Sequence, residues 1–240
     1  MIEMWDVSKV FRTDAIETHA LKRFHLRVEP GEFVAVTGPS GSGKTTFLNV
    51  AGLLEEFTSG RYVLDGQDVS RLTDNQRSRI RNEKLGFIFQ SFNLIPDLNI
   101  YDNVDVPLRY RRMSGPERRR RIGAALETVG LASRTRHIPA QLSGGQQQRA
   151  AIARALAGEP RVILADEPTG NLDTTMSNQI IDLLEKVNAR GTTVIMVTHN
   201  LELAARARRH VEIIDGAITY GTARAGIDAA SARAGVSPAA

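Results

Sequence analysis

Residues 38–45, Gly38-Pro39-Ser40-Gly41-Ser42-Gly43-Lys44-Thr45, are a glycine-rich run that closes on a lysine and a hydroxyl. A polyphosphate needs several backbone N–H groups pointing inward, and glycine permits this by accepting dihedrals closed to other residues. A helix opening near Lys44 adds its positive end to the cradle. In such a loop Lys44 reaches the β- and γ-phosphates and the Thr45 hydroxyl ligates Mg2+. The alternative, a glycine-rich turn without a ligand, accounts less well for the β-rich run before it and the helical run after it.

A second group is Asp166-Glu167, at the end of the apolar run Val162-Ile163-Leu164-Ala165. In an open α/β sheet the carboxyl ends of the strands are where ligands bind. Asp166 there holds Mg2+, through water, and Glu167 orients and deprotonates an attacking water. An Asp-Glu pair alone fits a strand cap and solvated turn equally well; the phosphate loop in the same chain favours the chemical reading. A third group is Leu142-Ser143-Gly144-Gly145-Gln146, which opens an alanine-rich stretch. A serine hydroxyl and glycine amides at a helix start make another anion site.

Positioning these groups takes strands that end at loops and helices that begin there. Phe33 to Thr37 is a short β-rich run ending at the glycine loop, and Thr45 to Leu54 then reads as a helix. Val162 to Ala165 and Thr193 to Thr198 are unbroken apolar runs, as expected of parallel strands covered on both faces. Between them, Ile180, Ile181, Leu184 and Val187 recur at helical spacing within 177–188. This is the strand–helix–strand unit of a doubly wound sheet. Ser114-Gly115-Pro116-Glu117 reads as a capping box opening a helix to about Val129, which Gly130 ends. A further helix runs from near Gly145 to Ala157, stopped by Gly158 and Pro160. Residues 90 to 160 therefore form a mainly helical lobe inserted into the sheet domain, and 222–240 reads as a loose tail.

The chain has 240 residues, 42% hydrophobic and 24% charged, enough for one folded domain with a small inserted lobe. With no cysteine, disulfides and thiolate metal sites are excluded, and a reducing compartment is the simplest reading. No apolar run is long enough to span a bilayer and the first residues lack a signal layout, so a membrane component would come from another polypeptide. Between Arg109 and Arg136 nine arginines face two glutamates. Such a stretch fits nucleic acid, anionic headgroups or plain solvation; with Tyr110 its only aromatic, base stacking is poorly served and solvation is preferred.

Leu142-Ser143-Gly144-Gly145-Gln146, continued by Gln147-Gln148-Arg149, matches the signature of ABC ATPases, and the acid pair follows at that family's spacing. The resemblance covers residues 2 to 221. It implies an α/β P-loop NTPase with a RecA-like parallel sheet core (about 1–89 and 161–221), an antiparallel β subdomain and the helical lobe. It also implies ATP and Mg2+ as ligands, with Gly38 to Thr46 holding the nucleotide. Ser143, Gly144, Gly145 and Gln146 of one subunit would cap ATP held by another, in a head-to-tail homodimer. Gln90 resembles the glutamine that contacts Mg2+, Asp173 belongs to the loop that crosses the dimer, and His199 resembles the switch histidine on the γ-phosphate. Glu167, His199 and Lys44 are thus the catalytic set, and Thr45, Gln90 and Asp166 the metal set. Phe11 stands where the family often has an adenine-stacking tyrosine. His19, His25, His137 and His210 match nothing.

Phe87 to Pro96, Asn103 to Leu108 and Ala165 to Asp173 further resemble the macrolide-exporter, lipoprotein-release and FtsE-like ATPases. This implies an integral membrane permease as partner, a peripheral place on the cytoplasmic face of the inner membrane, and no nucleic acid. The segment 91–100, with Phe92, Leu94, Ile95, Leu98 and Ile100, is then expected near the groove that receives a permease helix. An FtsE-like regulatory role is an alternative that this sequence does not separate from transport. A soluble ABC ATPase acting on DNA or ribosomes fits less well, for want of a long coiled coil or a second ATPase domain.

Overall fold

The structure, a computed structural model, describes residues 1–12, 16–111 and 113–219; the expected tail from 222 onward lies outside them. The strands are β1 (Ile2–Arg12), β2 (Glu17–Val28), β3 (Phe33–Thr37), β4 (Ser59–Leu64), β5 (Gln67–Asp68), β6 (Leu85–Phe89), β7 (Val162–Asp166), β8 (Thr193–Val197), β9 (Arg209–Ile214) and β10 (Ala217–Thr219). The helices are α1 (Lys44–Ala51), α2 (Asp74–Lys84), α3 (Ile100–Arg109), α4 (Gly115–Thr128), α5 (Gly144–Ala157), α6 (Thr174–Ala189) and α7 (Leu201–Ala204). One sheet is antiparallel with the order β2-β1-β4-β5, and the other has the order β10-β9-β3-β8-β7-β6, parallel except at β10.

Period-two alternation in the central strands explains how the two sheets and the helices share one interior. Phe33, Ala35, Ile163, Ala165, Val194 and Met196 face a core filled by α3, α4, α5 and α6. Their neighbours Val34, Val36, Val162, Leu164, Ile195 and Val197 face a second core, closed by α1 and the antiparallel sheet. Successive side chains leave a strand on opposite faces, so each strand that reads as unbroken apolar sequence feeds both cores. The strands have no solvent face, and their carboxyl ends carry the polar loops.

The expected helices form, with shifted ends. The helix expected over 45–54 stops at Ala51, because Gly52 caps it and Leu53 turns left-handed at φ 56°. The helix expected over 177–188 starts earlier, at Thr174, because Asp173 caps it by accepting from Met176 N at 2.7 Å. Ser114 caps α4 by accepting from Glu117 N at 3.4 Å, but the reciprocal half of the expected capping box is missing. Arg120 and Arg121 take the Glu117 carboxylate instead and hold its carboxyl down to about 2.

Arg109, Arg111, Arg118, Arg120 and Arg121, five of the nine arginines in this stretch, pair with groups of the same chain. Arg109 and Arg118 both bond the buried Asp105. Arg120 and Arg121 also reach Glu159, and Arg111 bonds Asn82 and the Gly158 carbonyl. These five arginines make pairs within the molecule, where plain solvation was expected. Ahead of α3, the buried Asn103 accepts from Ile95 N at 2.7 Å and donates to Leu98 O at 2.9 Å, which moulds the segment before the helix. Of its apolar residues Ile100 is fully buried and Leu94 packs on the core that the sheet shares with α3 to α6, whereas Ile95 is exposed.

Candidate functional site

The glycine loop leaves β3 and enters α1 between two backbone walls. A Cβ on Gly38, at φ 145°, would stand 2.1 Å from the carbonyl oxygen of Ile213 in β9. On Gly43, at φ 102°, it would stand 2.4 Å from the carbonyl of Ala20 in β2. Only glycine fits either position, so the parallel sheet and the antiparallel sheet together mould the loop. The turn at Gly216 clasps it further: Gly216 N donates to Ser42 O at 2.9 Å, and Lys22 N donates to Gly216 O at 2.8 Å.

Gly43 is the N-cap of α1 and offers no side-chain acceptor. The N–H groups of the first turn, which contains Lys44, Thr45 and Thr46, therefore lack the side-chain cap that the other long helices carry, and they face outward with the helix dipole behind them. Lys44 Nζ folds across the loop and donates to Gly38 O at 2.9 Å and Pro39 O at 2.7 Å. Ser40 and Gly41 lie on its rim, exposed.

Beside the loop, β7 delivers Asp166 and Glu167. Burial, with repulsion from Glu167, pushes the Asp166 carboxyl above the usual carboxylate range, and Lys44 only partly offsets this. Glu167 sits at φ 45°, a conformation costly for a residue with a Cβ. Its N–H is held by Val197 O at 3.0 Å, and its Oε1 lies 2.9 Å from His199 Nδ1. The carboxylate is mostly buried, 16% exposed, while the imidazole is 73% exposed. Among the described residues Glu167 Oε2 has no hydrogen-bond partner. A pocket of about 240 Å³ opens beside this pair, lined also by Thr198, Asn200, Glu202 and Arg206.

Gln90 follows β6, which pairs with β7 so that Phe89 lies opposite Asp166. It is bound twice to Asn171: its side-chain Nε2 donates to Asn171 Oδ1 at 3.3 Å, and its backbone carbonyl accepts from Asn171 Nδ2 at 3.0 Å. Gly170 allows the approach, since a Cβ there would meet Gln90 Nε2 at 2.6 Å. Ser143 caps α5 in a complete capping box with Gln146. Gly144 and Gly145 pack on Leu172 and Met176 of the same chain. Phe11 is 41% exposed on β1, with the Lys9 ammonium 4.6 Å from its ring centre, which leaves one ring face open.

The structure thus brings the phosphate loop, Asp166, Glu167, His199 and Gln90 to the carboxyl edge of one sheet. Ser143 to Gln146 stand at the start of α5, and Phe11 on the antiparallel sheet. One group, Gly216, went unnoticed in the sequence, and so did the partners of Asn171 and Gln148. Gly216 had a legible signal in the Asp-Gly turn between apolar runs. Asn171 and Gln148 stand in stretches that the sequence singles out, but their contacts had no signal, because the partners are backbone and amide groups remote in the chain.

A family model described as ABC transporter matches residues 21–170. The chain belongs to the ABC transporter ATP-binding family. An uncharacterized ABC transporter ATP-binding protein of Thermotoga maritima is 46% identical over 218 residues, 91% of this chain and 93% of that protein. The macrolide export ATP-binding/permease protein MacB of Hyphomonas neptunium is 46% identical over 218 residues, 91% of this chain but 34% of that protein. The cassette therefore spans about a third of that relative's length. Among solved structures, a dimeric post-hydrolysis state of the ATP-binding cassette MJ0796 bound to ADP and Pi aligns at a TM-score of 0.86 and 42% identity, over 94% of this chain and 100% of that one. This cassette is accordingly an ABC ATPase with the P-loop NTPase fold.

The Asp166 geometry has a stability consequence. Its folded-state affinity for a proton exceeds that of the unfolded chain, so its ionisation costs stability. The cost is absent below the unfolded value and builds as pH rises through the raised folded one. Asp166→Asn should therefore raise the thermal midpoint near neutral pH, and the gain should vanish as pH falls below 4. Calorimetry of both proteins across that range measures it.

Proposed function

We propose that this cassette binds Mg-ATP on its own phosphate loop, closes with a second copy around the nucleotide, and drives a separate membrane permease. The observation that carries the hydrolytic reading is the Glu167–His199 pair at 2.9 Å beside an uncapped helix start and Lys44.

The roles follow from what each group already does. First-turn amides of α1 and the Lys44 ammonium take the β- and γ-phosphates, Lys44 exchanging two loop carbonyls for phosphate oxygens. Glu167 supplies the carboxylate that accepts a proton from the attacking water. His199 steadies one carboxylate oxygen through Nδ1 and keeps Nε2 for the γ-phosphate. Thr45, Asp166 and Gln90 offer oxygen donors only, which suits Mg2+, a hard ion that shares its shell with phosphates and water. When bound, Mg2+ neutralises charge on the phosphate oxygens. A dication would also favour the ionised Asp166 carboxylate that burial disfavours. Adenine would lie on the open face of Phe11.

Ser143 to Gln146 would serve the nucleotide of the second copy, with Asp173 and its loop crossing between subunits; the dimeric form of the MJ0796 cassette supports this. Permease coupling is supported by the MacB relative, whose name joins an ATP-binding part to a permease. A groove of about 1300 Å³ between the sheet core and the lobe is the natural receptor. Apolar groups from Phe87, Val106, Tyr110 and Met113 line it, and so do the guanidinium groups of Arg81, Arg111 and Arg154. An amphipathic permease helix fits such a lining, and docking there would hold the cassette at the cytoplasmic membrane face. Leu94, half-buried on the core that the sheet shares with α3 to α6, is not among the groove residues.

Glu167→Gln should keep nucleotide affinity and lower turnover by roughly 10²–10⁴; steady-state hydrolysis decides, and near-parental turnover would remove Glu167 from the role. Ser143→Asp tests the shared site. Aspartate caps a helix as well as serine does, so α5 should hold, while its charge should repel a phosphate brought by a second copy. The expected result is unchanged nucleotide binding by the monomer with ATP-dependent dimerisation lost on gel filtration. Tyr110→Asp, at a residue 80% exposed in the groove, should leave the basal ATPase alone and weaken co-purification with the permease.

A further inference from the structure

α5 buries Gly145, Ala150, Ala151, Ile152, Ala153, Ala155 and Ala157 against the sheet and lobe, and Gln148 is the polar side chain among them. It is fully buried. Its Nε2 donates to Pro168 O at 2.6 Å and approaches Phe89 O at 3.4 Å. Its Oε1 has no partner among the described residues. A buried amide with one oxygen unsatisfied lowers stability relative to an apolar side chain of the same shape. Packing alone therefore does not call for glutamine here.

The two carbonyls it reaches are informative. Phe89 precedes Gln90, and Pro168 follows Glu167. The strained Glu167 backbone is thus gripped on both sides, its own N–H by Val197 O in β8 and the next residue's carbonyl by Gln148. Gln148 stands five residues after Ser143 on the same helix, about 7.5 Å along its axis.

We propose that Gln148 is a positioning residue. Its amide holds Glu167 in its left-handed conformation, and through it α5 links the Ser143 end of the helix to the catalytic carboxylate. This rests on the hydrolytic reading of Glu167 above. Without the amide, the turn at 167–168 relaxes and the Glu167 carboxylate shifts from its place beside His199, whereas the phosphate loop is untouched. Misalignment of this kind lowers kcat rather than nucleotide affinity.

Gln148→Met keeps length and volume and removes both donors. In the full chain its kcat should fall by roughly 10–100-fold, with nucleotide affinity unchanged and a thermal midpoint equal to the parent's or higher. A merely structural residue would show the opposite pattern, a lowered midpoint with kcat retained in the folded fraction. Gln148→Glu adds a readout that survives if the methionine variant folds poorly. Burial raises a carboxyl's pKa, so at low pH this side chain is a protonated donor to Pro168 O and at high pH an anion facing two carbonyls. Its kcat relative to the parent should fall as pH rises. Parent and Glu167→Gln run alongside: equal turnover in those two takes down the hydrolytic reading and this inference together. If they differ as expected, parental kcat in Gln148→Met, or a pH-independent ratio in Gln148→Glu, overturns the role of Gln148 alone.

Discussion

A strand buried on both faces must send its polar business out through its ends. β3, β7 and β8 are such strands, each placing alternate side chains in two separate cores. Because they run parallel, their carboxyl ends share one edge, and the glycine loop, the acid pair and His199 all emerge there. The site's composition follows from that constraint. Backbone N–H groups come from the start of α1, carboxylates from the end of β7, and an imidazole from the end of β8.

Assembling so many charged and strained groups at one edge is unfavourable until something binds. Asp166 and Glu167 repel each other, burial disfavours the Asp166 anion, and Glu167 sits in a left-handed conformation. The surroundings hold these features in place: Val197 O fixes the Glu167 amide, His199 fixes one carboxylate oxygen, and Lys44 spans the loop carbonyls. Local instability offset by neighbouring packing is characteristic of sites where strain serves chemistry.

α5 is the element through which distant parts of the cassette meet. Its first residue follows the Ser143 cap, and its middle reaches the carbonyls of Phe89 and Pro168. Towards its end Arg154 donates to Phe92 O at 2.9 Å and also to Asn93 O, two carbonyls of left-handed residues just past Gln90. Desolvation lowers the Arg154 pKa, and Arg154 lines the groove as well. One helix of 14 residues thus reaches from the Ser143 cap past the turn at Glu167 to the groove.

Much of this was legible in the sequence because the relevant physics is local. Glycines at 38, 41 and 43 before Lys44, the apolar runs ending in Asp166 and His199, and the Ser143 cap each announce themselves within a few residues. Helix ends were less legible: Gly52 and the Asp173 cap moved two of them, and Arg120 and Arg121 broke a capping box by competing for Glu117. What only the tertiary structure decided are contacts between segments far apart in the chain. The Gly38 and Gly43 walls come from Ile213 and Ala20, Gln90 pairs with Asn171, and Gln148 grips Pro168. A glutamine's partner is set by which carbonyl the folded backbone leaves unpaired beside it, and no spacing along the chain encodes that.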